Sequence, residues 1–281
     1  MSSAITPREG STFYYGLLKT ASQQRSDVCA LLQFCEVLAS VLHEVTEPAV
    51  AEQKIHWWHQ EIERLQTGDS RHPAATIVYP AVGRYALNPE HFLSILQANN
   101  NEKYLNAADE DSFQQRLQID YGARLALCTA VLTETNSDTP TTWTPVPEWA
   151  GAFGTFERLR QLAYLHHRAY PVLPDSDYRG ASLEPANLLN TDTDSVQVVD
   201  GLLKARIERA MAQFTTALQQ PLPDERIIPV YLCARMRLAQ LNQWQSKPSA
   251  LLRQYTSLTP IRKLWICWRM RRHLQSVRQF S

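Results

Sequence analysis

Site chemistry needs side chains that ionise, coordinate or attack, and this sequence holds few dense groups of them. His56 and His59, with Glu63 one turn on, would share a helix face and suggest a metal, but no third type of ligand converges on them. His166 and His167 stand beside Arg168 and Tyr170 at the end of a helical stretch, where a capping or surface role competes with catalysis. No Ser/His/Asp set or nucleophile elbow stands out among the eight histidines, which argues against nucleophilic hydrolysis. There is no GxGxxG or GxxxxGK[ST], and the nine glycines are about half the usual share of ~7%, so phosphate-cradling loops are not expected. The five cysteines (Cys29, Cys35, Cys128, Cys233, Cys267) are dispersed without a CxxC pair and read as buried free thiols of a reducing compartment.

Helical periodicity supplies the elements that would position such groups. From Gln24 to Val45, the residues Val28, Leu31, Cys35, Leu38, Leu42 and Val45 recur in steps of three and four, which predicts one long buried helix ended by Pro48. Ile55, Trp58, Ile62 and Leu65 predict a second helix, stopped near Gly68. Further helices are expected after Pro73 and Pro89, and over Phe113–Leu132, Trp149–His167, Val198–Leu218, Ile227–Gln243 and Leu251–Gln279. Thr135–Pro147 and Ala169–Thr193, both interrupted by prolines, are expected to be mainly loop. Nothing alternates with a period of two over a useful length. The expected fold is all-α: a single domain over residues 11–281 with about eight to ten helices, preceded by a flexible N-terminus at residues 1–10.

With 28 Lys+Arg against 28 Asp+Glu the chain has no net charge, which excludes a generally basic nucleic-acid binder. The neutrality is a cancellation. Six of the basic residues and none of the acidic ones fall in 261–281, so residues 1–260 carry a net −6. In that last stretch Arg262, Lys263, Arg269, Arg271, Arg272 and Arg278 accompany an apolar side of Ile261, Leu264, Trp265, Trp268, Leu274 and Val277. A basic amphipathic helix over about 251–279 suits docking on an anionic membrane surface or an acidic protein partner. A last core helix whose arginines snorkel into water is the competing reading. Met1–Gly10 has no apolar signal core and no stretch reaches the ~18 apolar residues of a membrane span. The expectation is a cytoplasmic protein, peripheral at the inner face of the membrane if α-helical docking occurs.

Four ordered segments resemble the squalene/phytoene synthase family. They are Ser11-Thr-Phe-Tyr-Tyr15 followed by Arg25 and Leu31-Leu-Gln-Phe-Cys35; Trp57-Trp-His-Gln-Glu-Ile-Glu-Arg-Leu65; His72-Pro-Ala-Ala75 with Arg84-Tyr-Ala-Leu87 and Phe92-Leu-Ser-Ile-Leu96; and Arg168-Ala-Tyr170 with Pro174. The match is dense over residues 11–100 and thin beyond. The resemblance implies the all-α isoprenoid synthase fold, with a central cavity for prenyl diphosphates. Trp58 lies on the apolar stripe, so the Trp57–Trp58 pair reads as core before it reads as a substrate contact. Arg25, Arg168 and Tyr170 match positions around the family's diphosphate region; for Arg168 an anion site and a structural ion pair both stand open.

Enzymes of this family ionise a diphosphate, and Mg²⁺, a hard cation that takes carboxylate oxygens, neutralises the departing charge. This sequence departs from the family at those ligands. The leading aspartates of the first motif become Ala39 and Ser40, its last becomes His43, and only Glu44 and Glu36 remain acidic nearby. The second motif falls near Gln161-Leu-Ala-Tyr-Leu165, where Leu165 replaces the aspartate, and the mid-chain acidic position falls near Asn99–Asn101. His43 stands open between a proton-transfer residue facing the old cavity and a satisfied core histidine. Three neutral replacements predict a pseudoenzyme without cofactor; Mg²⁺ would be required only if a divergent prenyltransferase joining two prenyl diphosphates is retained. The degenerate pattern, with Ile228-Pro-Val-Tyr-Leu232, is similar to the complex I assembly-factor branch of the superfamily. That likeness implies a respiratory or assembly protein partner. A metal-independent carrier of an isoprenoid or other lipid is the remaining expectation.

Overall fold

Prolines mark where many of the helices begin, because a residue at the first helical position needs no N–H and gains from a fixed φ. In the computed structural model, which describes residues 9–104, 106–135, 147–189, 193–222, 224–253 and 257–278, twelve α-helices occur. They are α1 Thr12–Gly16, α2 Ser22–Ala39, α3 Pro48–Thr67, α4 Pro73–Arg84, α5 Pro89–Tyr104, α6 Glu110–Thr133, α7 Pro147–Arg160, α8 Leu162–His167, α9 Asp175–Gly180, α10 Thr193–Gln219, α11 Ile228–Trp244 and α12 Pro260–Arg278. No strand occurs among the described residues. Stop signals are equally local: Gly68 closes α3 in the left-handed conformation, φ 83°.

Several boundaries differ from expectation for identifiable reasons. The helix expected over Gln24–Val45 stops at Ala39. The Ser40 N–H is shared between Glu36 O (3.0 Å) and Val37 O (3.2 Å), and its hydroxyl also donates to Val37 O at 3.1 Å, which tightens and ends the last turn. Leu42 and Val45 are still buried, but in a small separate cluster with Ala51. The expected Trp149–His167 helix is divided at Gln161 into α7 and α8, and the expected loop over Ala169–Thr193 contains the short α9 and a 3₁₀ turn at Pro185–Asn187. The last helix begins at Pro260 rather than Leu251, after a 3₁₀ turn at Pro248–Leu252. Residues 1–8 and most of the expected Thr135–Pro147 loop lie outside the described residues. Gly10, expected to be flexible, instead accepts a hydrogen bond from Lys263 Nζ at 2.6 Å.

Most of the core is one contiguous cluster to which nearly every helix contributes, with smaller buried clusters beside it. α6 packs against α2, α5 and α7; α7 meets α10, α10 meets α11, and α1 lies against both α11 and α12. The α6–α7 pair packs closely at Gly154, where a Cβ would stand 2.8 Å from Tyr121 Cδ2 and 2.9 Å from Leu117 Cβ. Glu61 on α3 is fully buried and accepts the backbone N–H groups of Arg71 (2.6 Å) and His72 (2.7 Å), which fixes the entry to α4. Trp58 packs on Phe34 (6.2 Å between centroids) and His72 (4.7 Å), the core role expected for it.

Replacing Gly154 by Val is expected to cost about 1–3 kcal/mol through overpacking. A thermal melt of the variant showing no loss of stability would contradict this close α6–α7 contact.

Candidate functional site

The residues that a site would use meet where α2, α6, α7 and α11 converge. α6 contributes Asp120, Tyr121 and Arg124 from successive turns, and α7 contributes Glu157 and Arg160. Arg124, buried to 7% side-chain exposure, donates from Nε to Asp120 Oδ1 (2.7 Å) and from Nη1 to Glu36 Oε1 (2.5 Å). Glu157 is shared by Arg160 and by Arg237 of α11, whose Nη2 lies 2.7 Å from Glu157 Oε1. The Arg237 guanidinium is also packed over Phe153, 4.4 Å from the ring centre. Burial works against the charge on Arg124, yet Asp120 and Glu36 together hold its pKa well above the ordinary guanidinium value. Burial likewise pushes the Glu157 carboxyl up, but Arg237 and Arg160 outweigh it and bring its pKa below the usual range.

Two cavities meet at this cluster, and Glu36, Tyr121, Arg124 and Glu157 line both. The larger, about 320 Å³, has mostly apolar walls that include Phe13, Leu17, Leu125, Cys128, Phe153 and Val230. The smaller, about 20 Å³, has room for roughly one water. Around it stand Ala39, His43, Asn99, Gln161 and Leu165. Four of the sequence positions aligned with the two aspartate motifs (Ala39, His43, Gln161 and Leu165), together with the mid-chain Asn99, therefore converge in space, while Ser40 does not. Leu165 is buried in the core, and Asn99 donates to Ile95 O (2.8 Å) and Asp120 Oδ2 (3.2 Å).

Other expected site residues fall elsewhere. Ser40 and Glu44 are exposed and line neither cavity; nor do Arg25, Arg168 and Tyr170. Arg168 donates to Glu44 at 3.2 Å and lies 3.9 Å over the Tyr164 ring, so its geometry is that of a structural ion pair. Tyr170 is buried, with its hydroxyl donating to Asn99 O (2.8 Å), and His43 packs edge-on against it at 5.0 Å. His56, His59 and Glu63 share an open groove along α3, and His56 is hydrogen-bonded to Gln60. All five cysteines are free, and burial pushes the Cys35 and Cys233 thiols up to about 12.

Mg²⁺ takes about six oxygen ligands in near-ideal octahedral geometry. Here the carboxylates nearest the small cavity, Glu36, Asp120 and Glu157, each already accept a guanidinium, and neutral side chains stand at the positions aligned with the aspartates. This donor set does not fit a magnesium–diphosphate cluster. Among the described residues no group of three or more His, Cys, Asp or Glu side chains could hold a metal ion.

The sequence reading missed Asp120, Arg124, Glu157, Arg160 and Arg237. Their local signal was charge at i, i+3 and i, i+4 spacing inside otherwise apolar helices, which in isolation is indistinguishable from surface pairing.

At the outer end of the bundle, α12 presents Arg262, Trp265, Trp268, Arg269 and Arg272 to solvent. Two expected docking residues are corrected. Lys263 is buried, donating to Gly10 O (2.6 Å) and Ser257 Oγ (2.8 Å), and Arg271 is half-buried, its charge disfavoured by burial. The side chains of Leu274, Val277 and Arg278 lie outside the described residues. No helix among the described residues is long and apolar enough to cross a membrane.

The Glu157 pair gives stability a definite pH dependence. Its folded-state pKa lies below the unfolded value of about 4.3, so the stabilisation is complete above that value and is lost as pH falls through the folded one. Melting temperatures of wild type and Glu157→Gln should differ by several degrees at neutral pH and converge in acid; a gap independent of pH would contradict this.

The sequence profile of the squalene/phytoene synthase family matches residues 6–262. Among solved structures, the fold is similar to that of a dehydrosqualene synthase in complex with ligand, with a TM-score of 0.74 at 14% identity, over 95% of this chain and 93% of that one. It is also similar to squalene synthase HpnC from Alicyclobacillus acidocaldarius, with a TM-score of 0.66 at 15% identity, over 84% of this chain and 88% of the other. No curated protein matches. The profile spans nearly the whole sequence and the helical architecture agrees with it, so this chain belongs to the squalene/phytoene synthase family and has its all-α isoprenoid synthase fold.

Proposed function

We propose that this chain is a non-catalytic member of its family, which binds an isoprenoid-like lipid in the central cavity and works in assembly at the cytoplasmic face of a membrane, with α12 as its docking element. One observation carries the reading: Ala39, His43, Gln161 and Leu165, aligned with the metal-binding motifs, converge on a small space of about 20 Å³ whose carboxylates each already meet an arginine. A diphosphate entering there would meet the Arg124 guanidinium already engaged by carboxylates, and displacing it would strand buried Asp120. The apolar cavity of about 320 Å³ beside it is still of ligand size. Ile228–Leu232, which resembles the complex I assembly-factor branch, opens α11, and its Pro229 and Val230 form part of that cavity wall. The assembly role implied by that resemblance belongs to the same reading.

Incubation with farnesyl or geranylgeranyl diphosphate and Mg²⁺ is expected to release no inorganic diphosphate above the blank. Mg²⁺-dependent turnover by the purified protein would overturn the proposal in favour of a divergent prenyltransferase. Farnesol binding, followed by tryptophan fluorescence, should be unchanged by chelator and reduced at least tenfold by Leu125→Trp, which fills the cavity.

A further inference from the structure

The outer face of α12 is apolar where the solvent face of a helix is ordinarily polar. Ile261 is 79% exposed, Leu264 48%, Trp265 50% and Trp268 55%. At 100° per residue these four side chains form one stripe, with Arg262 and Arg269 along one border and Arg271 along the other. The opposite side of the helix is occupied: Lys263 is tied to Gly10 and Ser257, and the buried Cys267 thiol donates to Tyr15 O at 3.7 Å. The rotation of α12 about its axis is therefore set by its contacts with α1, and the tryptophans cannot turn inward without breaking them.

The charges around the stripe are available. In the body of the bundle Arg64, Arg84, Arg124, Arg160, Arg168, Arg206, Arg209, Arg226 and Arg237 meet carboxylates, while Arg25, Arg71 and Arg179 have no ion pair among the described residues. Among the described residues no carboxylate pairs with Arg235, Arg262, Arg269 or Arg272. Arg269 and Arg272 instead lie over the rings of Trp265 and Trp268, at 5.1 and 4.8 Å. Beside the stripe, α11 and α12 enclose a groove of about 490 Å³, with Leu238, Ala239, Ile266 and Met270 in its walls and Arg235 and Arg269 also lining it.

We infer that this surface docks on an anionic phospholipid bilayer: the tryptophan stripe enters the headgroup–acyl boundary, and the α11–α12 groove receives a lipid phosphate between Arg235 and Arg269. Tryptophan suits that boundary because its ring is apolar and its N–H can still reach a polar partner. Unpaired arginines on the same face match the negative surface of anionic lipids, which a neutral or merely sticky protein partner would not require. The acidic body, net −6, favours the orientation with α12 toward the lipid. The inference rests on the reading of α12 as the docking element and not on whether the cavity is catalytic.

The full chain is tested by co-sedimentation with vesicles of phosphatidylcholine alone and of phosphatidylcholine with phosphatidylglycerol. Binding is expected on the anionic vesicles, with a blue shift of tryptophan emission, and at least tenfold weaker on neutral vesicles or in high salt. Trp265→Ala with Trp268→Ala, and separately Arg235→Glu with Arg269→Glu, should each reduce it about tenfold or more, with melting temperatures confirming folded protein. Ile77→Ser, at an exposed apolar residue on α4, should leave it unchanged. No binding to anionic vesicles, equal binding to neutral ones, or insensitivity to both paired substitutions would overturn the inference. So would self-association that the tryptophan substitutions abolish without vesicle binding, which would assign the face to a second copy of the chain. Absent vesicle binding in a protein that also lacks diphosphate turnover retires the bilayer alone; vesicle binding together with turnover retires only the non-catalytic reading.

Discussion

Taking a guanidinium out of water costs several kcal/mol, and inside a helical bundle the cost is recovered only when carboxylates meet it in good geometry. Arg124 and Arg237 are both buried, and the carboxylates that meet them arrive from different helices: Glu36 from α2, Asp120 from α6 and Glu157 from α7. The resulting cluster ties α2, α6, α7 and α11 together at the point where two cavities meet. Removing Arg124 would strip buried Asp120 of its guanidinium, and removing Glu157 would leave buried Arg237 without its carboxylate. The network therefore constrains the relative placement of the helices as well as their stability.

The same pairing governs what the interior can bind. The two cavities are lined by Arg124, Arg158, Arg160 and Arg237 against Glu36, Asp120 and Glu157. Arg124, Arg160 and Arg237 already meet these carboxylates, so the apolar cavity ends on a polar, ion-paired surface. Shape and charge thus separate in this protein. The apolar cavity is walled by Leu17, Leu125, Phe153 and Val230, while the carboxylates at its end are engaged by ion pairs.

At the other end, a single buried lysine decides the orientation of α12. Lys263 donates to Gly10 O and Ser257 Oγ, so the chain just before α1 and the segment before α12 are held to one ammonium. Its pKa is lowered by burial, as expected where acceptors are neutral oxygens. With that side of the helix committed, the stripe from Ile261 to Trp268 has only the outside to face. The chamber wall also includes Phe13 and Leu17, on and just after α1, so the helix that carries the exposed tryptophans is packed against an element of the cavity.

Much of this architecture was legible in the amino-acid sequence, because helix starts and stops are local events. Pro48, Pro73 and Pro89 began helices where they stood, Gly68 ended one, and the apolar spacing of Ile62, Leu65, Phe92 and Leu96 named core residues correctly. The neutral residues at Ala39, His43, Gln161 and Leu165 could also be read off, since they follow from residue identity at aligned positions. What the sequence could not contain was pairing across distance. That Arg124 meets Glu36 at 88 residues' separation, that Arg237 meets Glu157 at 80, and that Lys263 reaches Gly10 at 253 are consequences of packing. Periodicity assigns a face to each residue but not a partner to that face. Lys263 and Trp265 both read as parts of one amphipathic helix, and only the tertiary structure, by burying the ammonium and leaving the indole in water, decided which of them is free to meet something else.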